Sequence, residues 1–157
     1  MGPRQKPYRW DRSFSSWSTW YGRVYVWFDQ LPSGDLRLVR GKDPSGLSFA
    51  IDLLKSGRLR AKDQVNGTIA QTWSPIATMG WVRIEWRVDA VNGQIDLLIF
   101  NSPNSATPTD AATSGPGRRI SAPSEVQIGR SGTQPFSATF WTDDPAISAT
   151  GYPGPII

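Results

Sequence analysis

The chain has neither cysteine nor histidine. The first absence removes disulfides, thiolate nucleophiles and cysteine-based metal sites, without settling the compartment. The second removes Ser-His-Asp and Cys-His catalysis and histidine-containing metal centres. Charge is sparse as well: 19% of residues are charged, and 17 basic against 13 acidic side chains leave +4. No apolar run approaches the roughly 18 residues of a spanning helix. The opening stretch MGPRQKPYRW lacks the apolar segment of a signal peptide, so a soluble chain with no membrane partner is expected. No P-loop or dinucleotide fingerprint occurs.

What is present is turn chemistry and aromatic rings. Gly (15) and Pro (13) together make about 18% of the chain, against an ordinary share of about 12%. Eight Trp, six Phe and four Tyr are too many large rings for a disordered polypeptide. A length of 157 residues suits one domain with a real core.

Residues 1–20 read as an extended basic and aromatic arm, and residues 21–157 as the domain. GRVYVWF (22–28) alternates Val24, Val26 and Phe28 with Arg23, Tyr25 and Trp27, the period of a strand. LRLVR (36–40), LSFAIDLL (47–54), RLRAKD (58–63) and TIAQTW (68–73) follow, separated by LPSGD, DPSG, KSG and VNG. WVRIEWRVD (81–89) has the clearest alternation, with Val82, Ile84, Trp86 and Val88 on one side. An Asn-Gly turn at 92–93 returns the chain into QIDLLIF (94–100), and Asn-Gly at 66–67 suits a type I′ hairpin. A short helical turn is expected near 75–80, and 101–123 reads as one long polar loop. SEVQIGR (124–130) and FSATFWTDDPAIS (136–148) supply the last strands. Eight to ten short strands without crossover helices predict an all-β protein, an antiparallel two-sheet jelly-roll sandwich with an extended N-terminal arm; a closed barrel is the alternative.

Four stretches in this order, YGRVYVWF, LSFAIDLLKSGRLRAKD, GWVRIEWRV with its Asn-Gly turn into QIDLLIF, and VQIGRS with FSATFWTDDPAIS and GYPGP, resemble the concanavalin A-like lectin/glucanase superfamily. The likeness is to its LamG-like jelly rolls, found in phage virion and secreted proteins, and it runs from about Tyr21 to Pro155. It implies a virion or extracellular setting. Two features depart from it. Only the arm is available for strands that commonly precede the opening one. The Glu-x-Asp-x-x-Glu strand of the glucanase branch is missing, so hydrolysis is not expected.

Carboxylates are the only acid/base pair left to consider. Glu85 alternates with Arg83 and Arg87, which charge pairing explains, and Glu125 starts a strand. No catalytic residue is expected. Asp143 and Asp144 point to opposite faces in a strand, whereas in a turn both could approach one hard cation such as the rim calcium of many jelly rolls of the family resembled, given help from carbonyl oxygens or from Asn101 or Asn104. The structural reading is preferred, and no cofactor is expected.

The aromatics say more. Trp27, Trp81, Tyr25 and Trp141, with Arg83, fall on strands whose other faces already hold core side chains, so something else must meet them. The candidates are another protein subunit, the long loop or the arm, and a carbohydrate. In the arm, Arg4, Lys6, Arg9 and Arg12 interleave with Tyr8 and Trp10, and docking onto an acidic protein neighbour is preferred to nucleic acid. The expectation is a non-catalytic structural or decoration domain of an assembly such as a phage capsid or tail, possible as a homo-oligomer. The alternative is a domain recognising cell-surface glycans, with a polysaccharide-degrading enzyme third.

Overall fold

A computed structural model describes residues 9–15, 17–129 and 137–156. Among them eleven strands form, and there is no helix. They run β1 (Arg9–Ser13), β2 (Thr19–Phe28), β3 (Leu36–Asp43), β4 (Gly46–Leu53), β5 (Leu59–Lys62), β6 (Thr68–Gln71), β7 (Trp81–Asp89), β8 (Gln94–Phe100), β9 (Asp110–Thr113), β10 (Glu125–Gly129) and β11 (Phe140–Ser148). A six-stranded sheet has the order β1-β10-β3-β4-β5-β6, and a five-stranded sheet the order β11-β2-β7-β8-β9. Every pairing is antiparallel. The result is the expected jelly-roll sandwich, not a barrel.

The core lies between the sheets, where alternation sends one face of each strand. Trp20, Val24, Val26 and Phe28 of β2 and Val82, Ile84, Trp86 and Val88 of β7 are fully buried, facing Phe49, Ile51 and Leu53 of β4. Gly22 pairs with Trp86 in register, and a Cβ there would collide with the Trp86 indole. The missing side chain is what lets the indole reach Trp20, at 6.4 Å edge to face.

The N-terminal arm is present, and its described part lies along a sheet edge: Arg9–Ser13 pairs with β10, and Trp10 packs against the core. Other expectations fare differently. Residues 1–8 lie outside the described residues, and the boundary at residue 20 falls inside β2. The 101–123 loop is interrupted by β9, whose short polar run DAAT carries no strand signal and is held by pairing with β8. No helical turn forms at 75–80.

Neither Asn-Gly turn has the two positive φ angles of type I′. At the first, Asn66 has φ 62°; at the second, Gly93 has φ 66°. Both belong to an Asp-x-Val-Asn-Gly sequence, DQVNG at 63–67 and DAVNG at 89–93. The leading Asp caps the turn: Asp63 Oδ1 accepts from Val65 N and Gly67 N, and Asp89 accepts from Asn92 N and Asn92 Nδ2. Hydrogen bonds from Asn92 hold the Asp89 carboxyl below its ordinary pKa.

Candidate binding faces

Inward alternation on the five-stranded sheet leaves a second set of side chains pointing out. Register aligns them in rows across the strands: Trp141–Trp27–Trp81, then Asp143–Tyr25–Arg83–Phe100, then Ala146–Arg23–Glu85–Leu98, then Ser148–Tyr21–Arg87–Asp96. The first row is three tryptophans side by side on β11, β2 and β7. Trp141 is 51% exposed and Trp81 40%, with Trp27 half-buried between them. The Trp27 and Trp141 rings meet edge to face at 4.7 Å.

The middles of the other rows are roofed, while Asp143 and, at the β9 edge, Ala111 and Thr113 stay exposed. After β11 the chain lays residues 151–156 over the sheet: Tyr152 packs on Tyr21 at 4.9 Å, Arg23 Nη1 donates to Gly154 O at 2.8 Å, and Ile156 N donates to the Tyr25 hydroxyl at 3.0 Å. After β8, the Arg83 guanidinium donates to Pro103 O and Ser105 O and lies 3.7 Å from the centre of the Phe100 ring. Arg83 Nε stands 3.2 Å from Glu85 Oε1 as an ion pair without hydrogen-bond alignment. Burial raises the Glu85 pKa, against the pull of Arg83, the Gly154 amide and Arg23.

This roof corrects two expected contact residues. Tyr25 is 8% exposed and Arg83 1%, and both spend their polar groups on the protein's own backbone. Of that group, Trp27, Trp81 and Trp141 remain at the surface. Arg4, Lys6 and Tyr8 lie outside the described residues, as does the Arg9 side chain. At Asp143 and Asp144 the strand is irregular, with a register shift before Ala146 and Asp144 at φ 44°. The Asp144 carbonyl oxygen accepts from Arg23, and Asp143 Oδ1 from Asp144 N. Among the described residues no group of three or more His, Cys, Asp or Glu gathers that could hold a metal ion.

The outer face of the six-stranded sheet is built differently. Arg37, Arg60 and Lys62 converge on Asp52, at 3.0, 3.0 and 3.8 Å, and Arg60 also reaches Asp35 at 3.2 Å. Just beyond β6, Trp73 is 83% exposed. Sequence reasoning placed this residue at the end of a strand and missed its exposure. The signal was there: it sits in Thr-Trp-Ser-Pro, a turn composition.

No protein-family model and no curated protein matches the chain in sequence. Solved structures do resemble it. A heptameric SAP-like pentraxin from Limulus polyphemus aligns over 94% of this chain and 71% of its own, at 14% identity and a TM-score of 0.60. A tetrameric galectin from the ball sponge Cinachyrella sp. aligns over 88% and 98%, at 10% identity and 0.56. The binding domain of botulinum neurotoxin serotype C1 aligns over 84% of this chain but 33% of its own, at 10% identity and 0.56. Identities this low speak for fold alone. The chain shares with these structures the antiparallel two-sheet jelly-roll β-sandwich fold.

Proposed function

We propose that this domain is a carbohydrate-binding module, acting outside the cell, and that a sugar seats on the Trp141–Trp27–Trp81 row. The observation that carries the reading is the row itself: three indoles in register on adjacent strands, open beside the part of the face that the chain's own segments cover. Pyranose rings have apolar C–H faces that pack on indoles, and a few polar groups beside such a platform set orientation. A fold shared with a galectin supports the same direction. The reading includes no bond-breaking step: the sequence has no histidine or cysteine, and Glu85 is committed to Arg83 beneath the roof.

A glycan array with the full chain tests this, with Trp27→Ala, Trp81→Ala and Trp141→Ala compared by titration on any hit. Loss of roughly tenfold or more in affinity, without loss of folding, is expected for the two exposed rings. Absence of any hit, or a hit indifferent to all three changes, overturns the proposal.

The second reading makes the same row a subunit contact in a multi-protein assembly such as a virion surface. Interfaces are enriched in Trp, and the two oligomeric structures of this fold, a heptamer and a tetramer, favour it. Light scattering on the full chain and on Trp141→Ala decides. A closed oligomer that falls to monomer in the variant supports assembly; a monomer throughout removes self-assembly through this row.

A further inference from the structure

At the edge of the sandwich where β6 ends beside β9, an aromatic ring stands at the surface. Among the described residues Trp73 is the most open of the large apolar side chains, at 83%. Its backbone, by contrast, is fixed. Trp73 N and Ser74 N both donate to Asp110 Oδ2 at 2.7 Å. Thr72 Oγ1 accepts from Leu59 N at 3.0 Å and bonds Ser74 O at 3.1 Å. The turn therefore holds a large indole at the surface in a fixed place, where burial contributes little to its energy.

Beside it stands a cation held in position. Arg58 Nε donates to Thr72 O at 2.6 Å, its guanidinium lies 5.5 Å from the centre of the Trp73 ring, and the Gln71 amide oxygen is placed to accept from both outer nitrogens at 3.3 Å. Gln71 pairs with Arg60 in register, and from there cations extend across the face through Lys62 and Arg37. Arg60 bridges Asp52 and Asp35, Lys62 and Arg37 reach Asp52, and Arg58 lies near Asp110, so these four cations meet three carboxylates.

We propose that Trp73 and Arg58 form a second binding site, for an anionic oligosaccharide bearing carboxylate or sulfate groups. The indole offers a stacking surface for the apolar face of a sugar ring, and the adjacent guanidinium, held by Thr72 and Gln71, offers a fixed positive charge with one N–H left on each outer nitrogen for its acid group. Arg60, Lys62 and Arg37 continue the positive field along the sheet for acid groups further along the chain. A polynucleotide asks for a run of stacking rings and a continuous basic groove, whereas one ring beside partly neutralised cations matches a short acidic glycan. This site is independent of the tryptophan row on the opposite sheet.

The test is calorimetric titration of the full chain with a short oligogalacturonate and with a short heparin fragment, at low and at physiological salt. A neutral oligosaccharide of equal length, polyglutamate and single-stranded oligothymidine serve as comparison probes. Binding of either acidic sugar, weakened by salt and by roughly tenfold or more in Trp73→Ala and Arg58→Gln, with partial retention in Trp73→Tyr, is the expected result. The two sugars separate carboxylate from sulfate recognition. Failure of both to bind, equal binding by Trp73→Ala, or equal binding of polyglutamate or oligothymidine overturns the proposal. The tryptophan row is read with neutral glycans, so either site can fail while the other stands.

Discussion

The two outer faces of this sandwich are written in the same alternating code and end up as opposite environments. On the five-stranded sheet, Arg83 and Glu85 are 1% and 2% exposed, because residues 101–109 and 151–156 fold back over them. On the six-stranded sheet, Arg37, Arg60 and Lys62 keep side-chain exposures of 23%, 20% and 15% around Asp52. An arginine facing outward from a strand is thus a buried structural element in one place and a partly exposed charge in the other. The difference lies in what crosses above it, which in both roofed cases is chain from beyond the strand. A roof also decides where function can sit: the aromatic row stays available only where the roof stops.

The sharpest way to break the comparison is to delete one cation from each face. Arg83→Ala leaves Glu85 buried with its main partner gone and two backbone carbonyls unsatisfied, and is expected to cost about 3–5 kcal/mol in urea unfolding. Arg37→Ala, which leaves Asp52 with Arg60 and Lys62, is expected to cost less than about 1 kcal/mol. Equal losses would mean the roof does not control the local dielectric.

A smaller effect comes from pH, with opposite signs for two carboxyls of the five-stranded sheet, Asp110 at its β9 edge and Glu85 beneath the roof. Burial raises the Asp110 pKa, but hydrogen bonds from the Ser74, Ala111 and Trp73 amides and the Arg58 charge outweigh it and leave the carboxyl below its ordinary value. Its contribution is therefore present above the ordinary carboxylate range and is lost as pH falls through the lowered folded value. Glu85, raised by burial, contributes below that range and loses its contribution as pH rises through the raised folded value. Asp110→Asn is expected to cost about 1–2 kcal/mol at neutral pH, with the gap to the parent closing in acid when melting temperature is followed. Glu85→Gln is expected to flatten the opposite slope.

The smallest effect is spectroscopic. Burial, helped by the Asp96 charge, pushes the Tyr152 phenol up to about 12. Its contribution holds below the ordinary tyrosine pKa and is lost as pH rises through that value. Alkaline titration of phenolate absorbance should show a late-ionising tyrosine that disappears in Tyr152→Phe. A parent whose tyrosines all titrate near 10 would place the 151–156 segment off the sheet.

Parity alone put Trp27, Trp81 and Trp141 on non-core faces, and register then set them in one row. Parity put Tyr25 and Arg83 on that face too, but it carries no information about Ile156 or Pro103 arriving above them. For Trp73 the turn composition hinted at a loop, but the degree of its exposure was not legible, for a related reason. Its exposure depends on β6 ending at Gln71 and on Asp110, 37 positions away, holding the turn.

The sequence by itself determined the class of fold and most of its strands, because alternation and turn chemistry act over a few residues: a two-residue period selects the buried face, and Asp-x-Val-Asn-Gly folds its own corner. The tertiary structure decided the rest. β1 lies against β10 and β11 against β2, joined by pairings more than a hundred positions apart. DAAT becomes a strand only because β8 offers it an edge. Hydrogen-bond partners and cover supplied from that far away leave no local periodicity behind, since the energy that places them belongs to the surface they meet and not to the residues that arrive.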